Sequence, residues 1–588
     1  MIYLPPLRRF LLPALVLLAF IVFYRSSLRV PASIPSFVPH QPPPPPKGIH
    51  IPIADLGHQT LPIQNTSENH LPPPKEYFYS YTEETNTKAS NGSVKTSTWS
   101  QPILNPNLAV LFKCPLPPNR YTNHIRLPNI IQNISEIPRN PISKDARVFW
   151  NPTIISLPYW SENHYLVVSR IVTDGNHQQN VLCEANICSV GNASDARNAE
   201  IPCTQDDFDQ VGPAGGMRCV NTPVTLSVPP TPAEKCEGRF GTFVDIPGFH
   251  DPRVFWSGKG EPLMMVNTQS RYACFGLWLI DLRTLYSPLH NLLSSNPDHP
   301  SLGPLKSYPT LTELTRNPAD TRSAIEKNWM FFYPASGESY IHYDLSSPYG
   351  GPRGRTFAKV LGNGLTTTNL TDPLELPCLR DIDVNELDAA RRNGTWHQAT
   401  NSLRLILCFR SDKACKPNAD NTVFFAVVHR KHPNILKLPL RYERYFIVWS
   451  AVPPFSMLGI SQHPVLMANE TASGWTAAQN WHGDQVRHKR STNSSIVQQE
   501  EKGYWASFTY TVSIAYAWGR KGDNVADKNV GYLDDKVILG IGIDDAGQGF
   551  ARVEARDLLQ CLRACPGRGS KKAKVEAGKA AKGVGGSG

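Results

Sequence analysis

The motif Asp251-Pro252-Arg253 places a carboxylate and a guanidinium at the predicted start of a strand. The proline predicts an extended backbone for Asp251, because the residue before a proline is pushed out of the helical region. Residues two apart in a strand point to the same side, so Asp251 and Arg253 are predicted to share a face. Such a pair could supply a catalytic carboxyl group beside a cation that binds a hydroxyl or a phosphate. A structural ion pair that closes a turn is the alternative.

A second motif, Glu326-Lys327-Asn328-Trp329, directly precedes the aromatic run Met330–Phe332. Charged and amide side chains are an unusual way to begin a buried strand. Glu326 could be a second catalytic carboxylate, and Lys327 and Asn328 could contact the substrate, the lysine through a phosphate. Trp329 could form a flat surface for a sugar ring. The alternative is a strand cap in which Trp329 belongs to the core.

Three further polar residues next to predicted strands, His397, Arg404 and His429, are predicted to bind substrate. Each of them alone fits a surface loop equally well. Asp381 and Asp383 match the D-x-D pattern by which many nucleotide-sugar transferases hold a divalent metal. They also head a helical pattern, where acidic residues are favoured as caps and dipole partners. We therefore predict no metal ligands and leave the cofactor open, with a divalent ion as the alternative.

The elements that must position these residues are mostly short strands between Pro, Gly, Asn and Asp clusters, from about residue 106 to 566. Dense β-branched and aromatic residues mark them. The predicted strands are Tyr165–Val172, Pro262–Val266, Phe275–Ile280, Leu403–Phe409, Val423–His429, Tyr445–Trp449, Phe508–Tyr516 and Val537–Ile543. Helical patterns are few: Asp383–Arg392 before an Asn-Gly stop, and Val553–Cys565 before a Pro-Gly stop.

One internal echo indicates a repeated architecture. Asp145-Ala-Arg147-Val-Phe-Trp150 is matched by Asp251-Pro-Arg253-Val-Phe-Trp256, a spacing of 106 residues. Propeller blades are about 40–50 residues long, so this interval would correspond to two blades. The sequence therefore predicts a mainly β fold, a five-bladed β-propeller behind an N-terminal membrane anchor and a Pro-rich stalk. Two similar strands of a β-sandwich are the alternative.

The N-terminal region predicts a single-pass membrane protein. Residues 10–24, FLLPALVLLAFIVFY, carry no charge and lie between Arg9 and Arg25. We interpret them as an uncleaved signal-anchor helix, with a cleaved signal peptide as the alternative. Residues 1–9 are then cytoplasmic, 25–105 form a disordered Pro-rich stalk, 106–566 form a lumenal catalytic propeller, and 567–588 form a disordered basic tail. The predicted location is the Golgi or ER membrane, in type II orientation.

Charge and cysteine content narrow the function classes. The chain of 588 residues has a formal net charge of +10, but the tail from 567 to 588 contributes six Lys or Arg and one Glu. The rest of the chain is near neutral, which excludes nucleic-acid binding as the main role. Twelve cysteines without metal-site spacing predict disulfides. Cys183 with Cys188, and Cys408 with Cys415, could each close a small loop.

The order of the motifs DPR, EKNW, YERYFIVWSAVPPFSMLGISQHPVL and GIGIDD across residues 145–550 resembles that of a known family. The family is the five-bladed propeller carbohydrate-active enzymes of the mannoside-phosphorylase and fungal β-mannosyltransferase kind. The resemblance implies that Asp251 is the acid in a sugar pocket and that Arg253 matches the arginine of the motif. It also implies that Lys327 or His429 holds a phosphate or a nucleotide diphosphate. The insertions 183–240 and 470–503 depart from the family pattern.

These observations predict a secretory-pathway glycosyltransferase that moves mannose or a related sugar from an activated donor to a glycan. Glycosidic-bond chemistry needs placed carboxyl groups, and a diphosphate leaving group needs cations. A glycoside hydrolase or phosphorylase on the same propeller is one alternative. A non-catalytic propeller that binds glycans or another protein is the other. The expected partners are a glycan acceptor, an activated sugar donor and the membrane through residues 10–24.

Overall fold

Short strands dominate the chain, in agreement with its many short β-branched and aromatic runs. The structure is a computed structural model that describes part of the chain. That part consists of residues 125–126, 149–173, 177–189, 200–203, 215–227, 229–232, 234–243, 248–297, 305–345, 355–372, 375, 378–379, 395–432, 441–467, 509–517, 529–543 and 547–565. The mainly β fold class is confirmed for these residues.

The strands are numbered in chain order. They are β1 (Ile125–Arg126), β2 (Trp150–Ser156), β3 (Tyr165–Thr173), β4 (His177–Ser189), β5 (Glu200–Pro202), β6 (Gly215–Cys219), β7 (Val224–Thr225), β8 (His250–Trp256), β9 (Pro262–Gln269), β10 (Phe275–Asp281), β11 (Thr312–Leu314), β12 (Met330–Phe332), β13 (Tyr340–Asp344), β14 (Thr356–Lys359), β15 (Thr395–Gln398), β16 (Leu403–Ile406), β17 (Thr422–His432), β18 (Arg441–Ser450), β19 (Met457–Ser461), β20 (Val465–Leu466), β21 (Thr509–Tyr516), β22 (Val530–Tyr532), β23 (Lys536–Ile543), β24 (Gly547–Glu554) and β25 (Leu562–Ala564). The helices are α1 (Leu282–Leu285), α2 (Ser287–Ser294) and α3 (Ala555–Leu558), with 3-10 turns at Gly238–Phe243 and Ala319–Thr321.

Hydrogen bonding groups most of these strands into five sheets, numbered I to V. Sheet I contains β2 to β7, sheet II contains β8 to β11, and sheet III contains β12 to β14. Sheet IV contains β15 to β19 together with β22 and β25, and sheet V contains β21, β23 and β24. In the described part of the chain, β1 pairs only with β20, as a separate parallel ladder.

Strands that are covered on both faces explain the longest apolar runs of the sequence. Every residue of β9 and of β10 is buried. Neighbouring residues of one strand therefore pack against different sheets. Phe331 packs with Phe255 of sheet II, whereas Phe332 packs with Phe424 and Trp449 of sheet IV. A strand with two buried faces loses the alternation of apolar and polar residues that marks a half-exposed sheet.

Five hydrophobic clusters connect the sheets in a fixed order. They lie between sheets I and II, II and III, III and IV, IV and V, and V and I. Each sheet thus packs between two others, and the order of packing returns to sheet I. Hydrogen bonds also join strands of different sheets. Examples are Trp256 Nε1 to Ser156 O at 3.0 Å, Ile154 N to Ser513 Oγ at 3.1 Å, and Arg444 Nε to Thr511 Oγ1 at 2.6 Å.

The predicted strands are confirmed, with ends that differ by a few residues. The predicted helix Val553–Cys565 is wrong over most of its length. Its first residues end β24, its helical part is limited to the four residues of α3, and Leu562–Ala564 pairs with β19. Cys561 has a φ of 61°, a left-handed conformation that no α-helix continues through. The predicted helix Asp383–Arg392 lies outside the described residues.

Disulfide bonds are present, as the cysteine content predicts. They join Cys183 to Cys219, Cys188 to Cys203, Cys236 to Cys274, Cys378 to Cys565, and Cys408 to Cys415. The Cys408–Cys415 pairing is confirmed, and the Cys183–Cys188 pairing is wrong. Both of those cysteines lie in β4, five residues apart. Five residues of extended strand span about 16 Å and end on opposite faces, so the two sulfurs cannot meet.

The predicted N-terminal anchor, stalk and C-terminal tail lie outside the described residues, as do Asp381 and Asp383. Within the described part, none of the helices combines the length and the apolar character needed to cross a bilayer.

Candidate functional site

In sheets I, II and III, a residue at the start of the first strand has the left-handed backbone conformation. Asn151 in β2, Asp251 in β8 and Asn328 just before β12 have φ angles of 48°, 45° and 60°. Asn and Asp adopt this conformation more readily than other non-glycine residues. Such backbone outliers concentrate at functional sites, where surrounding contacts hold them in place. The three residues therefore indicate a candidate site at the N-terminal ends of β2, β8 and β12.

The structure places the internal repeat at a different spacing from the one predicted. Asn151-Pro152 and Asp251-Pro252 are 100 residues apart, and each lies at a register shift between the first two strands of its sheet. The predicted echo aligned Trp150 with Trp256, but Trp150 begins β2 whereas Trp256 ends β8. The extended backbone predicted for Asp251 is also absent, since its φ is positive.

The carboxylate of Asp251 is the centre of the candidate site. Its Oδ1 accepts a hydrogen bond from Arg170 Nη1 at 2.7 Å and one from Asn151 Nδ2 at 3.1 Å. Among the described residues, none donates to Oδ2. One third of the side chain, 33%, remains exposed. The two donors orient the carboxylate while leaving one oxygen for another partner.

The side chain of Asn151 has room to reach Asp251 because the residue that it packs against is a glycine. A Cβ atom at Gly542, in β23, would lie 2.1 Å from Asn151 Oδ1, which no side chain tolerates. Arg170 is positioned by Trp150, the residue opposite it on β2, and its guanidinium carbon lies 4.9 Å from that indole ring centre. Sheet I therefore supplies both donors that hold the Asp251 carboxylate of sheet II, and sheet V leaves the space that one of them needs.

Electrostatics keeps Asp251 ionised. Burial raises the pKa of its carboxyl group, but the positive charges of Arg170, Arg253, His250 and Lys327 outweigh burial, so the pKa lies below the usual 3.8. Asp251 is therefore a carboxylate at neutral pH in this state. The acid role implied by the family resemblance requires a change in its surroundings that raises this pKa.

Arg253 does not contact the carboxylate of Asp251, although the two were predicted to share a face. Its Nη1 donates to the carbonyl oxygens of Asp251 and Pro252 at 3.0 and 3.1 Å, and its Nε donates to Ala399 O at 2.9 Å. Ala399 lies between β15 and β16 of sheet IV, which is not a packing neighbour of sheet II. Arg253 thus links the first strand of sheet II to the loop between β15 and β16 of sheet IV.

The side of the site formed by Lys327, Asn328 and His397 carries the positive charge of the lysine. Lys327 is exposed, and its charge lowers the pKa of both Asp251 and His397. Asn328 Nδ2 lies 3.2 Å from His397 Nδ1. Burial, then Lys431, then Lys327 lower the pKa of His397 to about 4. His397 is therefore neutral at physiological pH, in a place where lysine charges accumulate.

His397 gives the folded protein a defined response to acid. An unfolded chain protonates this residue near its usual pKa of 6.5, whereas the folded chain keeps it neutral down to about 4. Lowering the pH through this interval therefore favours unfolding. As the pH is lowered through this interval, we expect the free energy of unfolding to fall less steeply in His397→Gln than in the wild type. Urea titrations at several pH values across the interval measure it. Because His342 also has a lowered pKa and stays unchanged in both proteins, its contribution cancels in the difference. Equal slopes would contradict the expectation.

Glu326 makes its hydrogen bonds away from Asp251. It is buried, and its carboxylate accepts from Arg316 Nε at 3.1 Å, Trp329 Nε1 at 3.2 Å and Ser323 N at 2.7 Å. Burial raises its pKa, although Arg316 and Ser323 oppose the rise. Arg316 also binds Asp344 at 2.9 Å. Within the described residues, Glu326 and Asp251 share no hydrogen-bond partner.

The remaining predicted residues are mostly buried. Trp329 is 3% exposed, and its ring centre lies 4.7 Å from that of Tyr343, so it belongs to the core. His429 is fully buried, stacks on Tyr510 at 4.4 Å, and accepts from Thr511 N at 2.9 Å. Burial, and then Arg444, lower the pKa of His429 well below its usual value.

Arg404 lies in β16, and its backbone hydrogen-bonds Asn529 and Tyr516 at 2.7 Å each. The structure thus brings Asp251, Lys327, Asn328 and His397 to one region, with Arg253 behind Asp251. It places Glu326 and Trp329 in a neighbouring network. In the described part of the chain, no group of three or more His, Cys, Asp or Glu side chains could hold a metal ion.

Comparison with known proteins identifies no family. No family model matches the chain, and no curated protein matches its sequence. Among solved structures, the chain is similar to a β-1,2-mannobiose phosphorylase from Listeria innocua in complex with β-1,2-mannobiose, with 10% identity, 74% of this chain and 99% of that chain covered, and a TM-score of 0.34.

It is also similar to the α-L-arabinofuranosidase PaAbf62A from Podospora anserina in complex with cellotriose, with 12% identity, 72% and 96% coverage, and a TM-score of 0.31. A third is a GH43_1 enzyme from Xanthomonas citri complexed with xylotriose, with 7% identity, 72% and 91% coverage, and a TM-score of 0.28. All three of these structures are complexes with a saccharide. TM-scores this low say nothing about what this chain acts on.

Proposed function

We propose that the five sheets are the blades of a five-bladed β-propeller and that its active site lies where the first strands begin. The cyclic order of the five clusters supports this arrangement. First strands of successive blades run in the same direction, so their starting residues share one rim. Asn151, Asp251 and Asn328 then face a common opening, with Arg253 beneath Asp251.

The site is proposed to process glycosidic bonds, with Asp251 as the catalytic carboxylate. The observation that carries this proposal is a carboxylate that Arg170 and Asn151 hold and that is one third exposed. Lys327 is near enough for its charge to lower the pKa of that carboxyl group. Glycosidic-bond cleavage passes through an oxocarbenium-like state and uses a positioned carboxyl group. Hydrolysis by the usual pair of carboxylates would need a second acid, and the hydrogen bonds of Glu326 lie in the Arg316 network.

Phosphate can replace the second carboxylate. A phosphate bound next to Lys327 would act as the nucleophile, and its negative charges would offset the cations around Asp251. The pKa of Asp251 would then rise, which makes the carboxyl group able to protonate the departing sugar oxygen. We therefore place a glycoside phosphorylase or hydrolase ahead of the glycosyltransferase that the sequence favoured.

A glycosyltransferase is the second candidate, because the same cations could bind a diphosphate leaving group. The disulfides of the described region favour an oxidising compartment, which fits the proposed Golgi or ER lumen. Membrane attachment through residues 10–24, mannose as the sugar and a glycan partner remain part of the proposal.

The test is an assay of the purified full chain with β-mannosides and related oligosaccharides, with and without inorganic phosphate. We expect sugar phosphate to appear only when phosphate is present. Release of free sugar without phosphate would identify a hydrolase. A parallel assay supplies sugar nucleotides with the same oligosaccharides as acceptors. Transfer in that assay alone would overturn the first candidate in favour of the second. Saccharide binding without turnover under every condition would contradict both and favour a binding propeller.

A further inference from the structure

One N-glycosylation sequon lies on an exposed part of the described chain. It is Asn369-Leu370-Thr371, in the segment that returns along β14. Asn369 is exposed, and the side chain of Leu370 is 42% exposed. An N-linked glycan needs an acceptor that remains at the surface after folding, so this sequon meets the first requirement.

The side-chain oxygen of Asn369 makes hydrogen bonds within the fold, whereas its side-chain nitrogen does not. Its Oδ1 accepts hydrogen bonds from Phe357 N at 3.2 Å and from Thr371 N at 3.1 Å. In the described part of the chain, its Nδ2 donates to no residue. A glycan attaches to Nδ2 and leaves the carbonyl oxygen as an acceptor. Modification therefore preserves both hydrogen bonds that the fold uses.

The surroundings of Asn369 would be covered by a glycan. Leu361, Leu365 and Leu370 are 40%, 39% and 42% exposed, and all three lie on the same hairpin as Asn369. Leu361 N donates to Leu365 O at 2.8 Å, which closes the hairpin tip. Exposed apolar side chains on one segment promote association between molecules. A bulky polar glycan next to them would oppose it.

We propose that Asn369 carries an N-linked glycan that shields this leucine-bearing hairpin. The donor would be an oligosaccharide linked to a polyprenyl diphosphate. A bond forms between Nδ2 and the anomeric carbon, the bond from that carbon to the diphosphate oxygen breaks, and Nδ2 loses one proton. The disulfides support exposure of the chain to the compartment in which this transfer takes place.

The chain offers a matched control on the same hairpin. Asn363 is also exposed, and its Oδ1 accepts from Leu365 N at 3.1 Å, but Asn363-Gly364-Leu365 is no sequon. Thr371→Ala destroys the sequon without changing Asn369, whereas Thr371→Ser keeps it. The hydroxyl oxygen of Thr371 has no hydrogen-bond partner in the described region, so its loss should be tolerated by the fold.

The experiment expresses the full chain in a eukaryotic secretory host and maps glycopeptides by mass spectrometry before and after endoglycosidase treatment. We expect a glycan at Asn369 in the wild type, in Asn363→Gln and in Thr371→Ser. We expect Asn369→Gln and Thr371→Ala to lack that glycan and to aggregate faster at equal concentration. An unmodified Asn369 in the folded wild type, whether other sequons are occupied or not, would overturn the proposal. Unchanged aggregation in both sequon variants would overturn the shielding role.

Discussion

Asp251→Asn should lower kcat/KM by about 10²–10⁴-fold on the substrate that the assay identifies. An amide oxygen can still accept hydrogen bonds from Arg170 and Asn151, so the geometry of the site is kept while the titratable group is lost. Steady-state kinetics on the purified variant, with circular dichroism to verify its fold, measures the effect. Asp412→Asn is the control, because Asp412 is an exposed carboxylate whose Oδ1 accepts from Ala414 N at 2.9 Å in a surface loop.

Glu326→Gln separates the two carboxylates that the sequence singled out. The buried Glu326 carboxylate pairs with Arg316, so this change should lower stability more than Asp251→Asn and activity less. If Asp251→Asn keeps kcat/KM within tenfold of the wild type while Glu326→Gln does not, the catalytic role belongs to Glu326 instead of Asp251.

Removal of the Cys378–Cys565 disulfide by a double Cys→Ser substitution should have the largest effect on stability. This bond closes a loop with a sequence separation of 187, whereas Cys408–Cys415 closes one of 7. A cross-link restricts the unfolded chain more when its loop is longer, which gives costs of about 5 kcal/mol and about 2 kcal/mol respectively. Urea unfolding of the two double variants measures these costs. The Cys408→Ser, Cys415→Ser protein is the control, and equal losses in both proteins would argue against the loop-length explanation.

The strands could be predicted because their packing leaves a clear trace in the sequence. Residues 262–266 and 275–280 are apolar throughout, as is typical of strands that lie between two other sheets. The end of the sheet region could not be predicted from local pattern. Leu558, Leu559 and Leu562 have helical spacing and are buried in one hydrophobic cluster. They do not share a helix, because Leu558 ends α3, Leu562 begins β25, and the left-handed Cys561 lies between them. Tertiary packing decided their conformation.

The site could be predicted only in part, because its members come from distant stretches of chain. Asp251 was identified from its motif, but Arg170 and Asn151, which hold its carboxylate, are 81 and 100 residues away. The repeated Asx-Pro pair at Asn151 and Asp251 was the signal that could have revealed one of them. Nothing local to Arg170 indicates its role, since a buried arginine acquires its function from the residue it meets in the folded protein.

The composition of sheet IV has a consequence for synthesis on the ribosome. Sheets I to III are built from strands in chain order, but sheet IV takes in β22 and β25, so its last strand is made only at Leu562–Ala564. Sheet V, which packs against sheet I, is also made late. Apolar residues of the first sheet, such as Ile154 and Val167, therefore lack their packing partners in sheet V until several hundred later residues have been translated. We therefore expect chaperones to bind the exposed apolar residues of sheet I during translation.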